Sequence, residues 1–86
     1  MAVSKINKPL KVRYIDKRVT VLNPGESMVL FKKSDYPNYI PFLLEDMEDW
    51  SQFFPQGYSN GYWYANCLKK AALDGTTLVR IWCIET

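Results

Sequence analysis

The 86-residue chain contains no histidine. That absence removes Ser-His-Asp and Cys-His catalysis, the side chain that most often titrates near neutral pH, and the commonest zinc ligand. Cysteine is scarce: Cys67 and Cys83 are too few for a disulfide framework and, without histidine, for a usual structural zinc site. Both are expected to be reduced and buried, with a single bridge open only if the elements that carry them meet. The four glycines are scattered, so neither a GxGxxG nor a P-loop spacing occurs. No apolar run approaches the ~20 residues of a membrane span, and no N-terminal stretch has the apolar core of a secretory signal. Together these absences lead to the expectation of a cytoplasmic protein, in the host cell if the source is viral, with no metal, no cofactor, no membrane association and no enzymatic role.

What the chain has in excess is aromatic area and segregated charge. Six Tyr, four Phe and three Trp are more rings than one small core readily encloses, so some belong at the surface. Residues 1–33 carry eight Lys or Arg against Asp16 and Glu26, a net +6. Residues 34–60 carry Asp35, Glu45, Asp46, Glu48 and Asp49 with no base, a net −5, and residues 61–86 a net +1. A folded molecule built this way is a charge dipole unless its ends pair internally.

The length suits one domain over 1–86, with 1–9 as a loosely held basic lead-in. From Leu10 to Leu22 apolar and polar residues alternate, either as two strands turning at Asp16-Lys17 or as one long bent strand. Asn23-Pro24-Gly25-Glu26 suits a type II turn, and Ser27 to Lys33 reads as the next strand. If that turn closes a hairpin, Val19, Val21, Met28 and Leu30 share one face. Arg18, Thr20, Leu22, Val29 and Phe31 share the other, a half-apolar surface suited to homodimerisation.

Over Asn38 to Phe54 the residues Ile40, Leu43, Leu44, Met47, Trp50 and Phe54 recur at helical spacing, opposite Glu45, Asp46, Glu48 and Asp49. This predicts an amphipathic helix ended by Pro55. A second helix is predicted from Gly61 to Leu73, capped by Ser59 or Asn60 and stopped at Asp74-Gly75. Thr76 to Glu85 is a strand whose two sides are both largely apolar, which argues for a central position. The expected fold is α+β in the order β-β-β-α-α-β: a mainly antiparallel sheet of three or four strands with two helices on one face.

Two surfaces stand out. The acids Glu45, Asp46, Glu48 and Asp49 form a strip that reads either as a solvated helix face or as a negative docking surface. Acid/base chemistry there would need a desolvated carboxyl, which an outward face does not supply. Cys67, near Lys69 and Lys70, has no base to make it a nucleophile and reads as a small buried hydrophobe. Around the acids, Tyr36 and Tyr39 precede the first helix, and Tyr58, Tyr62 and Trp63 the second. Rings set among Ser, Asn and Gly are what contact patches use.

The chain thus reads as a non-catalytic protein-binding module, with those five rings and four acids contacting a basic surface on a protein partner. It is similar to the small stoichiometric inhibitors of phages and mobile elements, anti-CRISPR proteins among them, in size, single-domain economy and absence of catalytic residues. That similarity implies an inhibitor occupying a surface of a host or defence protein, including one that normally binds nucleic acid. The alternative is a small RNA- or DNA-binding protein using Lys11, Arg13, Lys17, Arg18, Lys32 and Lys33, although no RNP, KH or helix-turn-helix signature accompanies them.

Overall fold

The alternating residues after Leu10 build one uninterrupted strand, β1 (Lys11–Thr20), with no turn at Asp16-Lys17. The computed structural model describes residues 10–20, 23–70 and 75–86. Its further strands are β2 (Ser27–Lys32), β3 (Tyr39–Asp46), β4 (Gln52–Ser59), β5 (Tyr62–Lys69) and β6 (Thr76–Glu85). They form two three-stranded antiparallel sheets, ordered β1-β6-β3 and β2-β5-β4. The described residues are therefore all-β, which overturns the α+β expectation with its two helices. The basic lead-in 1–9, the strand end at Val21 and Leu22, and the helix end at 71–74 lie outside the described residues.

The first expected helix is replaced by β3, a loop and the start of β4, and the cause is a bulge. β3 pairs with β6 through Ile40↔Ile84 and Pro41↔Cys83, then Leu43↔Trp82 and Leu44↔Ile81, leaving Phe42 as an extra residue. One inserted residue turns the strand's spacing of two into a spacing of three, from Ile40 to Leu43 and from Pro41 to Leu44. Over a few residues that offset imitates helical periodicity. Pro41 and Pro55 fit because β3 and β4 are edge strands.

The second expected helix is β5. Trp63, Ala65 and Cys67 turn inward, while Tyr62, Asn66 and Leu68 turn outward. The expected N-cap at Ser59 or Asn60 falls instead at a hairpin, whose two-residue loop Asn60-Gly61 joins β4 to β5 with Ser59 opposite Tyr62. Asn60 (φ 50°) and Gly61 (φ 88°) both adopt positive φ, as a type I′ turn requires.

The 23–26 turn forms as expected, with the Glu26 N–H donating to the Asn23 carbonyl at 3.1 Å and Gly25 at φ 90°. It does not close a hairpin between β1 and β2. β1 pairs with β6 and β2 with β5, so Arg18 and Thr20 of the expected dimer face lie in one sheet and Val29 and Phe31 in the other, while Leu22 lies outside the described residues. A bulge at Leu30 also lets Leu30 and Phe31 both enter the core.

That core lies between the two sheets. Thr77, Val79, Ile81 and Cys83 of β6 are fully buried, together with Leu30, Ala65 and Cys67 from the opposite sheet. Each large apolar side chain removed from water there contributes about 1.5–3 kcal/mol. β6 occupies the centre of its sheet, in keeping with its two apolar sides. Among the described residues no helix is long and apolar enough to cross a membrane.

Candidate functional site

The loop from β3 to β4, residues 47–51, follows from the chemistry of Asp46. This residue ends β3, and its Oδ1 accepts the backbone N–H groups of Glu48 at 3.2 Å and Asp49 at 3.0 Å. Such side-chain-to-backbone bonds make the aspartate behave like a turn. The Thr77 hydroxyl lies 2.6 Å from the same oxygen and 3.2 Å from Asp49 Oδ2, tying the loop to β6. Burial alone would push the Asp46 carboxyl up, but Thr77 and the donors of Asp49 and Glu48 hold it below its usual range.

Glu48 has a structural task as well. Arg18 grips it with two hydrogen bonds, 2.7 and 3.0 Å, and the Leu78 N–H donates to its Oε1 at 2.9 Å. The guanidinium lowers the Glu48 pKa and is itself raised. In this way part of the basic N-terminal segment neutralises part of the acidic strip.

Between β3, this loop and the start of β4 lies an open cleft of about 570 Å³. All four acids expected from the sequence line it, together with Met47, Trp50, Phe53 and Leu68, and no Lys or Arg is among its lining residues. Trp50 is 88% exposed, the most exposed large apolar side chain described. Glu45 is exposed on β3 and accepts the Trp82 indole N–H at 3.4 Å. The structure thus brings Glu45, Asp46, Glu48 and Asp49 together on a strand end and a loop instead of a helix face. Trp50 was missed as a site residue, because a helical reading assigned it to the core. The local signal for it is Asp46 itself, since an Asp side chain favours turns by accepting N–H groups two and three residues on, as it does here.

The rings assemble elsewhere, at the end of the molecule near the β4–β5 hairpin. Phe31 meets Tyr36 edge-on at 5.4 Å, and Tyr36 stacks on Tyr39 at 5.4 Å. Tyr58 lies 5.4 Å from Trp63, and the Lys33 ammonium sits over Tyr58 at 4.9 Å. Tyr36 and Tyr58 remain exposed, while Tyr39 and Trp63 are half-buried and pack on the core. The Trp63 indole N–H has no hydrogen-bond partner among the described residues. Tyr62 does not join this group; it stands between Lys32 and Ser59 with its side chain toward the opposite sheet face.

The six basic residues of the alternative reading are dispersed. Lys17 donates to the carbonyls of Val29 at 3.0 Å and Leu30 at 3.2 Å, Arg13 pairs with Glu85 at 3.4 Å, and Arg18 with Glu48. Lys11 and Lys32 are exposed at strands of different sheets, and Lys33 covers Tyr58. Both thiols are buried and separate, and burial raises each, Cys83 to about 11. Among the described residues no three His, Cys, Asp or Glu side chains are grouped to hold a metal ion.

Fold and cleft together define a small two-sheet β protein with an acidic groove beside an exposed indole. No protein-family model, curated protein or solved structure matches the chain.

Proposed function

We propose that the chain is a non-catalytic protein-binding module whose acidic cleft receives a basic segment of a partner protein. The observation that carries this reading is Trp50, exposed at a groove lined by four carboxylates and no base. An indole face and carboxylates are complementary to a Lys or Arg side chain, the first through cation–π attraction and the second through charge-assisted hydrogen bonds. A groove of this charge competes for surfaces that otherwise receive phosphates, so the activity takes the form of a small inhibitor of a host or defence protein. Buried, unlinked Cys67 and Cys83 support a cytoplasmic setting. The dispersal of Lys11, Arg13, Lys17, Arg18, Lys32 and Lys33 gives the nucleic-acid reading no continuous phosphate track.

The test uses the cleft residues that do not hold the loop: Trp50, and Glu45, whose carboxylate has as its one hydrogen bond among the described residues the 3.4 Å contact from the Trp82 indole. The wild-type chain and its Glu45→Lys/Trp50→Ala variant are used as affinity baits, with folding of both checked by circular dichroism. A specific partner captured by wild type and lost by the variant is expected, with binding that weakens as salt rises. A partner retained equally by both baits, or salt-sensitive binding of a generic oligonucleotide by both, overturns the proposal.

A further inference from the structure

The β1-β6-β3 sheet turns a second surface outward. Because Val79, Ile81 and Cys83 face the core, their neighbours Arg80, Trp82 and Ile84 face away, and the strand register extends this into rows across the sheet. One row is Val12, Ile84 and Ile40; the next is Tyr14, Trp82 and Leu43. The third is Asp16, Arg80 and Glu45. On the outer strands the exposure is large: 47% for Val12, 52% for Tyr14, 42% for Ile40 and 52% for Leu43. Contiguous apolar area of this kind on a small protein marks a contact surface.

We propose that this face packs against the same face of a second copy of the chain. Charge is the first reason. Asp16 and Arg80 neutralise one another through hydrogen bonds of 2.8 and 3.0 Å, and the Arg80 guanidinium lies over the Tyr14 ring at 4.0 Å. The apolar rows therefore border a row in which Asp16 and Arg80 are paired with one another and Glu45 belongs to the acidic cleft. Area is the second reason. Large side chains about half exposed, at about 150–250 Å² for a whole aromatic, give the two rows with the adjoining Phe42 on the order of 600 Å² per copy. Two copies then hide roughly 1,200 Å², the lower edge of specific interfaces, which predicts a weak and concentration-dependent dimer.

Symmetry narrows the arrangement further. A two-fold axis running along the strands would set Arg80 against its own copy and Asp16 against Glu45, both like charges. An axis across the strands, between the two apolar rows, sets Val12 over Tyr14, Ile84 over Trp82 and Ile40 over Leu43 of the second copy. It leaves the charged rows at the two rims. Of these two arrangements, the second buries the apolar rows without facing like charges.

The experiment is sedimentation equilibrium across about a thousandfold concentration range. A monomer–dimer equilibrium is expected, and Val12→Lys and Leu43→Lys should each weaken it by about tenfold or more. Leu68→Lys on the other sheet and Trp50→Ala in the cleft should leave it unchanged, which separates this face from the partner-binding cleft. As a readout independent of those variants, mixed Val12→Cys and Tyr14→Cys chains should form a disulfide between unlike chains on mild oxidation. Mixed Tyr14→Cys and Leu43→Cys chains should not. A monomer at every concentration, a dimer indifferent to Val12→Lys and Leu43→Lys, or cross-linking of 14 to 43 in place of 12 to 14, overturns the proposal.

Discussion

Lys17 stands on the inward side of β1, between Ile15 and Val19, where a charge would ordinarily be excluded. Its ammonium reaches the carbonyls of Val29 and Leu30, at the bulge where β2 breaks register with β5. The side chain thus links the edges of two sheets that share no ladder at this corner, and blunts an edge that would otherwise template other chains. Replacing Lys17 with Met keeps the apolar stem but leaves those carbonyls without their donor. The expected loss is about 1–2 kcal/mol, read as a fall in melting temperature. Lys33→Met, which removes a cation from the exposed ring of Tyr58, should cost less than half as much. Sequence alternation made Lys17 look like one more member of a basic surface; its partner lies twelve and thirteen residues away and is visible only in the assembled sheets.

At the scale of elements, the β4–β5 hairpin is written in local chemistry that the expectation of a helix over 61–73 passed over. Asn60-Gly61 between aromatic-rich segments is a hairpin signal, because both positions need positive φ. Gly61→Ala meets no neighbouring atom within 4 Å, so its cost is backbone strain alone, about 1–2 kcal/mol. Asn60→Gly keeps the positive φ at no steric cost and should leave the denaturation midpoint close to wild type. A comparison of the two variants by urea unfolding checks the turn type directly. β3 and β4 were less legible, since their bulges at Phe42 and Gln56 offset the alternation and imitate a period of 3.6. The candidate site is affected the same way: the helical spacing sets the four acids on one face and puts Trp50 in a buried stripe, whereas the structure places both at an open cleft.

For the whole molecule, the titrating groups set a stability profile with two falling limbs. Asp16, Asp46 and Glu48 have folded pKa values below their ordinary range, through Arg80, Thr77 with loop N–H groups, and Arg18. The unfolded chain therefore binds more protons as the solution is acidified. Their stabilisation is complete above the ordinary carboxylate range of about 4 and disappears as pH falls through the depressed folded values. Cys83 behaves oppositely, being raised by burial from 9.0 to about 11. The unfolded thiol ionises first, so stability declines as pH rises from about 9 toward 11. Chemical denaturation at a series of pH values should show both limbs, with Asp46→Asn flattening the acid limb and Cys83→Ala the alkaline one. An acid limb unchanged in Asp46→Asn would remove the loop's carboxylate from this account.

The sequence alone determined which side chains are absent, the strand β6, the alternation that became β1 although not whether it turned at Asp16-Lys17, and the turn at Asn23 to Glu26. These are local properties of composition and alternation, and each survives whatever the strand's neighbour turns out to be. Tertiary structure decided the rest: that β1 joins β6 and leaves β2 to β5, that bulges shift the register of β3 and β4, and that Arg18 answers Glu48. Pairing and register are set by which distant backbone and apolar face completes a strand, and two sheets closing over Val79, Ile81 and Cys83 outweighed every helical spacing that the isolated segments displayed.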